Sequence, residues 1–171
     1  MKHGLGTYYF TNNNMYKGMW QNDYQEGKGV MEYFNGDLYD GSWSRNKRNG
    51  KGKYVWAGGA EYTGSWKNDL KDGQGKMVWD DGSCYEGEWK NGFRHGKGVF
   101  VYVNGDKYNG DWVDDMQHGR GTYFFHNGER YTGDYERGER TGMGVYTYPN
   151  GDEYIGHFRN GRQDGSGKFK W

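Results

Sequence analysis

A tyrosine returns every 23 residues in this chain, at Tyr16, Tyr39, Tyr62, Tyr85, Tyr108, Tyr131 and Tyr154. Two residues after each stands a glycine, from Gly18 to Gly156, and two further on a large aromatic: Trp20, Trp43, Trp66, Trp89, Trp112, Tyr135 and Phe158. A Gly-x-Gly pair follows, running from Gly27/Gly29 through Gly96/Gly98 to Gly165/Gly167. A fixed period in this range marks stacked units, each too small to bury a core alone, so the fold must be an array.

Within a unit the apolar pattern alternates with period two, the signature of a strand with one buried face. Tyr85, Gly87 and Trp89 share a face, while Glu86 and Glu88 point away. In the following segment Gly98, Phe100 and Tyr102 share a face, as do Gly75, Met77 and Trp79, or Gly144, Tyr146 and Tyr148. Each unit is predicted to be a β-hairpin. Seven residues after each tyrosine comes Asp23, Asn46, Asp69, Gly92, Asp115, Gly138 or Gly161, residues that tolerate a positive φ in a turn. The link to the next unit carries Asn-Gly at Asn35-Gly36, Asn104-Gly105, Asn127-Gly128 and Asn150-Gly151, a hairpin signal. Connections this short make neighbours antiparallel, so about fifteen strands are expected in one meander. Glycines inside strands remove packing area, and a ring from the adjacent strand is expected to lie over each.

Segment boundaries follow from the period: a half repeat at 3–15, full repeats at 16–38, 39–61, 62–84, 85–107, 108–130 and 131–153, and a truncated repeat at 154–171. No linker or change of composition interrupts them, so 1–171 reads as one array. The lone proline, Pro149, falls in an inter-strand turn. Low hydrophobic content alone would suggest disorder, but 19% aromatic residues and glycines in fixed register argue for a folded chain with a thin, ring-rich core.

Composition also excludes functions. Lys+Arg and Asp+Glu are both 23, so no net field attracts nucleic acid or an anionic surface. Cys84, the single cysteine, rules out an intramolecular disulfide and a cysteine-rich metal site. No apolar run reaches the ~20 residues of a membrane-crossing helix, and the N-terminus does not begin a signal peptide; the expectation is a soluble, intracellular chain. No nucleophile–base–orienter set is visible. His3, His95, His118, His126 and His157 lie at recurring scaffold or solvent positions, and the Gly-x-Gly pairs lack the helix that a phosphate loop requires. The chain is therefore expected to be no enzyme and to hold no cofactor or metal.

The anchors Tyr-x-Gly-x-Trp, then Asn-Gly-x-x-His-Gly-x-Gly, then Asn-Gly-Asp resemble the MORN (membrane occupation and recognition nexus) repeat over essentially the whole chain. The histidine of that pattern survives only at His3, His95 and His118, with Glu26, Asn49, Asp72, Thr141 and Asp164 elsewhere, which argues against a shared chemical role for it. The resemblance implies an all-β, elongated single-layer antiparallel β-meander with a grooved aromatic face. It also implies an interaction module of the kind found in ciliary, cytoskeletal and membrane-junction proteins and beside enzyme domains.

Rings on a sheet without a second layer suggest a partner surface. The residues expected to form it are Tyr39, Trp43, Tyr62, Trp66, Tyr85, Trp89, Tyr108, Trp112, Tyr131 and Tyr135, receiving a peptide, helix or neighbouring subunit. Unpaired edges of the terminal strands offer a second mode, a homodimer or larger assembly. The reading is a non-catalytic protein–protein scaffold, expected in the cytoplasm within a ciliary, axonemal or other cytoskeletal structure, without nucleic-acid contacts. One alternative is a module for phosphoinositide or acidic lipid, contacted through Arg45, Lys47, Arg48, Lys51 and Lys53. Another is an accessory domain that positions an enzyme.

Overall fold

The computed structural model describes residues 1–171. It contains fifteen strands and no helix, and the strands follow one another in sequence order in an antiparallel sheet. By internal packing the chain forms two compact units, Met1–Asp80 with Trp89–Gly92, and Asp81–Glu88 with Phe93–Trp171. The first holds β1 (Gly4–Tyr9), β2 (Met15–Gln21), β3 (Tyr24–Glu32), β4 (Leu38–Ser44), β5 (Lys47–Val55), β6 (Glu61–Lys67) and β7 (Leu70–Val78). The residues of β8 (Cys84–Lys90) are divided between the two. The second unit holds β9 (Phe93–Val101), β10 (Lys107–Val113), β11 (Met116–Phe124), β12 (Arg130–Glu136), β13 (Glu139–Thr147), β14 (Glu153–Arg159) and β15 (Arg162–Lys170).

The register explains the glycines. In the first unit Gly6, Gly18, Gly29, Gly41, Gly52, Gly64 and Gly75 are cross-strand partners in succession. In the second, Gly98, Gly110, Gly121, Gly133, Gly144, Gly156 and Gly167 form the same line. Each line is a strip of bare backbone onto which tyrosine rings fold. A Cβ on Gly29 would overlap the ring of Tyr16, and one on Gly52 that of Tyr39, so the expected covering of strand glycines by rings from adjacent strands is present.

In the hairpins β2/β3, β4/β5, β6/β7, β10/β11, β12/β13 and β14/β15 the register shifts just after the first-strand glycine, for example between Gly41 and Trp43 and between Gly110 and Asp111. Such a shift withdraws a backbone group from the ladder, and a buried carbonyl needs another donor. The tyrosine supplies it: Tyr39 Oη donates to the Ser42 carbonyl, Tyr62 to Ser65 and Tyr108 to Asp111, each at 2.9 Å.

The two kinds of connection differ. Between first and second strands both central residues have positive φ, as at Asn22/Asp23, Asn68/Asp69 and Asp114/Asp115, the pattern of a two-residue type I′ turn. The residues expected to tolerate such a conformation all adopt it. The Asn-Gly links are longer turns in which glycine alone has positive φ: Gly36 N donates to Tyr33 O, and Tyr33 N to Asp37 O. Asn13, in the place of a glycine, also has a φ of 64°.

Candidate interaction surface

The aromatic face contains two sets of rings with different fates. The first set is the tyrosine and large aromatic of each first strand. Tyr39, Tyr62, Tyr85, Tyr108 and Tyr131 are 0% exposed, and Trp43, Trp66, Trp89, Trp112 and Tyr135 between 2 and 5%. Each large aromatic meets tyrosines edge to face. Trp43 packs on Tyr39 at 5.1 Å and Tyr16 at 5.4 Å, and Trp66 on Tyr62 at 5.1 Å and Tyr39 at 5.5 Å. In the second unit Trp112 packs on Tyr108 and Tyr85, and Tyr135 on Tyr131 and Tyr108. The indoles are also hydrogen-bonded: Trp43 Nε1 donates to Gly29 O, Trp66 to Gly52 O, Trp89 to Gly75 O and Trp112 to Gly98 O, at 3.0–3.1 Å.

This corrects the sequence-based assignment of the contact surface. The ten rings expected to meet a partner are brought together, but as the core: the tyrosines lie against glycine backbone, and the large aromatics meet them edge to face. Removing each such ring from water contributes on the order of 2 kcal/mol to the fold.

The second set lies on the second strands and their turns; Tyr54 and Phe100 in it are buried, and Tyr33 and Trp56 are half-buried. In the first unit Tyr54 touches Tyr33 at 5.8 Å and Trp56 at 4.5 Å. In the second unit the rings make one chain of contacts: Phe100 to Tyr102, Tyr102 to Tyr123, Tyr123 to Phe125, Phe125 to Tyr146 and Tyr146 to Tyr148, with centroids 4.5–5.9 Å apart. Within it, Tyr102, Tyr123, Phe125, Tyr146 and Tyr148 are half-buried. Their inward-facing period was legible in the sequence; which of the two ring sets the glycines would absorb was not.

Three of these phenols are held by carboxylates from the preceding turn. Tyr54 Oη donates to Asp37 at 2.6 Å, Tyr123 to Asp106 at 2.8 Å and Tyr146 to Glu129 at 2.7 Å. Burial pushes all three phenols well above their usual range, and the adjacent carboxylate adds to the shift. The hydroxyls are therefore fixed as donors, and the rings hold one orientation.

Cations complete the face. Arg48 lies over Trp66 at 4.5 Å and Tyr54 at 5.1 Å, and Arg94 over Trp112 at 4.6 Å and Phe100 at 5.2 Å. Both are clamped by the acid of the next turn. Asp69 Oδ1 accepts from Arg48 N and Nε, and Asp115 Oδ1 accepts from Arg94 N and Nε. The sequence identified Asp69 and Asp115 only as turn formers; their spacing of 21 residues from an arginine is the signal for this second task.

The basic cluster is divided by the strand it occupies. Arg48 lies over the rings, whereas Lys51 and Lys53 pair in register with Ser65 and Thr63 on the polar face, and Lys53 forms an ion pair with Glu61 at 2.8 Å. Arg45 and Lys47 are exposed at the turn. The five do not converge on one surface.

The MORN repeat pattern matches residues 1–15, 16–38, 39–61, 62–84, 85–107, 108–130, 131–153 and 154–171. No match was found among curated proteins. Among solved structures the chain is similar to the SAS-4 (dCPAP) TCP domain of Drosophila melanogaster, in complex with a proline-rich motif of Ana2 (dSTIL). The identity is 20%, over 91% of this chain and 85% of that one, with a TM-score of 0.56, a likeness of fold. The G-box domain of the microcephaly protein CPAP aligns over 98% of this chain and 99% of its own at 13% identity, with a TM-score of 0.39.

Proposed function

For a chain that belongs to the MORN-repeat family along its whole length, we propose a non-catalytic role as a protein-binding scaffold, with the second-strand rings as the contact surface. One observation carries this reading: the connected chain of half-buried rings from Tyr102 to Tyr148, on a sheet face with no second layer over it. Tyrosine and phenylalanine held in fixed orientation bury much area on binding and lose little rotamer freedom. The SAS-4 domain of similar fold is in complex with a proline-rich motif. Extended proline-rich segments dock on aromatic-lined surfaces, so an open row of rings suits such a ligand. The setting proposed is a cytoplasmic, cytoskeletal assembly, ciliary or axonemal in its finer form.

Affinity capture from a cell extract tests the reading, comparing the wild-type chain with Trp56→Ala and with Phe125→Ala plus Tyr148→Ala, each checked for folding by circular dichroism. Captured proteins should be lost from the folded ring variants. A capture set that is unchanged in both would overturn the assignment of the surface.

A further inference from the structure

The turn position seven residues after each tyrosine has a task beyond turning the chain. Where it holds Asp or Asn, its side chain accepts the N–H of the residue 21 positions earlier: Asp23 from Lys2, Asn46 from Gln25, Asp69 from Arg48 and Asp115 from Arg94. Where the earlier residue is arginine, the same oxygen also takes Nε, at 3.1 Å for Arg48 and 2.9 Å for Arg94. The fold thus displays twice, from its own side chains, where a carboxylate sits on this surface.

Arg140 stands at the equivalent place, and its turn residue is Gly161. The rest of the arrangement is kept: Gly161 N donates to Arg140 O at 3.1 Å, as Asp69 N does to Arg48 O. The guanidinium again lies among rings, 5.4 Å from Tyr131 and 5.8 Å from Tyr146. Only the carboxylate is missing, and Arg140 forms no ion pair. Glu129, which lies within its electrostatic reach, is held by Asn127 and the Tyr146 hydroxyl. Glu139 also lines the cleft and makes no bond to the guanidinium.

Two further observations coincide here. Gly138 is also a glycine at this turn position, and together Gly138 and Gly161 leave a cleft of about 280 Å³, walled by Tyr123, Phe125 and Arg140. Tyr135 lines the same cleft; it is 4% exposed, and its hydroxyl has no hydrogen-bond partner. A buried unpaired hydroxyl is costly, and a ligand that supplies an acceptor recovers that cost.

We infer that this cleft is a subsite for an acidic side chain of a partner polypeptide, whose Asp or Glu carboxylate takes the place on Arg140 that Asp69 takes on Arg48. The inference rests on the scaffold reading and deepens it: the rings supply area, and Arg140 selects an acidic residue. Arg140 is half-buried, and its guanidinium, lying among the rings, offers a planar two-donor edge that suits a carboxylate.

The test uses the full chain and two blocked peptides, Ac-Pro-Glu-Pro-NH2 and Ac-Pro-Gln-Pro-NH2, titrated by NMR while the Arg140 Nε–H resonance is followed. The glutamate peptide should bind about tenfold tighter, the difference expected of a charge-assisted hydrogen bond over a neutral one. That preference should vanish in Gly161→Asp, which supplies the chain's own carboxylate, and in Arg140→Gln. Equal affinity for the two peptides, no binding of either, or a preference that survives Gly161→Asp overturns the subsite. The scaffold reading is decided separately by the capture experiment, since rings that bind both peptides alike still form a contact surface.

Discussion

The ring of Tyr85 occupies the space that a side chain on Gly98 would need: a Cβ at Gly98 overlaps the Tyr85 hydroxyl and the ring carbons beside it. Neither residue can be changed for size alone, because the ring is fully buried and its hydroxyl is tied to the Glu88 carbonyl at 2.9 Å. Gly98→Ala should therefore lower stability by about 1–3 kcal/mol, the range for overpacking a tight site. Gly58→Ala, where an added Cβ meets nothing within 4 Å, should change it by less than about 0.5 kcal/mol. Urea unfolding of the two variants reads the difference, and equal midpoints would refute the ring-on-glycine account.

The indole of Trp112 acts through its nitrogen as well as its area. Its Nε1 donates to the Gly98 carbonyl at 3.1 Å, in a site where both groups are buried. Trp112→Phe keeps an aromatic ring but removes the indole donor from that buried carbonyl and leaves unfilled space. The expected loss is about 2–4 kcal/mol, combining an unsatisfied acceptor with a cavity. Tyr108→Phe keeps the ring and removes only the bond to the Asp111 carbonyl, so it should cost less, about 1–3 kcal/mol. Chemical denaturation ranks them; a Tyr108→Phe variant as damaged as Trp112→Phe would shift the weight from packing to the hydrogen bond.

These two residues also show where reading the sequence succeeds and stops. The 23-residue spacing of Tyr85 and Tyr108, and the glycines two positions after them, state the hairpin, the strand faces and the ring-over-glycine covering. The period does not say that Gly98 lies opposite Gly110 and Gly110 opposite Gly121, because cross-strand register depends on turn length and on the shift beside Gly110. That unbroken glycine strip is what buries Tyr108 and Trp112 and leaves Tyr123 and Phe125 accessible. The double role of Asp115 was hidden for a related reason. One residue type suits both a left-handed turn and a carboxylate clamp, and only the folded distance of 2.9 Å to Arg94 Nε separates them.

The clamp has its own consequence for stability. Asp69→Gly retains a residue suited to a φ of 70° but leaves Arg48 N and Nε without their acceptor. Because the Asp69 side chain is 44% exposed, water replaces part of what is lost, and the expected cost is about 0.5–1.5 kcal/mol. The reverse change, Gly138→Asp, places a carboxylate opposite Gln117, whose carbonyl already accepts the Gly138 N–H at 2.8 Å. It should raise the melting temperature slightly. A Gly138→Asp protein that melts lower would show that the strain of a side chain at a φ of 88° outweighs a bond to the Gln117 N–H.

Acid should weaken the second unit through Asp106. Burial alone would raise its pKa, but the carboxylate accepts from the His126 backbone N–H and the Tyr123 hydroxyl and lies 2.8 Å from His126 Nδ1. These partners, with Asn104, outweigh burial and hold the pKa at about 2. The unfolded carboxyl titrates near 3.9, so the folded state binds this proton later than the unfolded one. The stabilisation is then complete above about pH 4 and is lost as the pH falls from there through about 2. Asp106→Asn should be less stable than wild type at neutral pH, since an amide is a poorer acceptor for this cluster of donors. It should also lose less on acidification within that window, because it has no proton to take up there. Urea unfolding of both proteins at about pH 7, 4 and 2.5 measures the two slopes, and parallel slopes would mean that folding does not lower the Asp106 pKa.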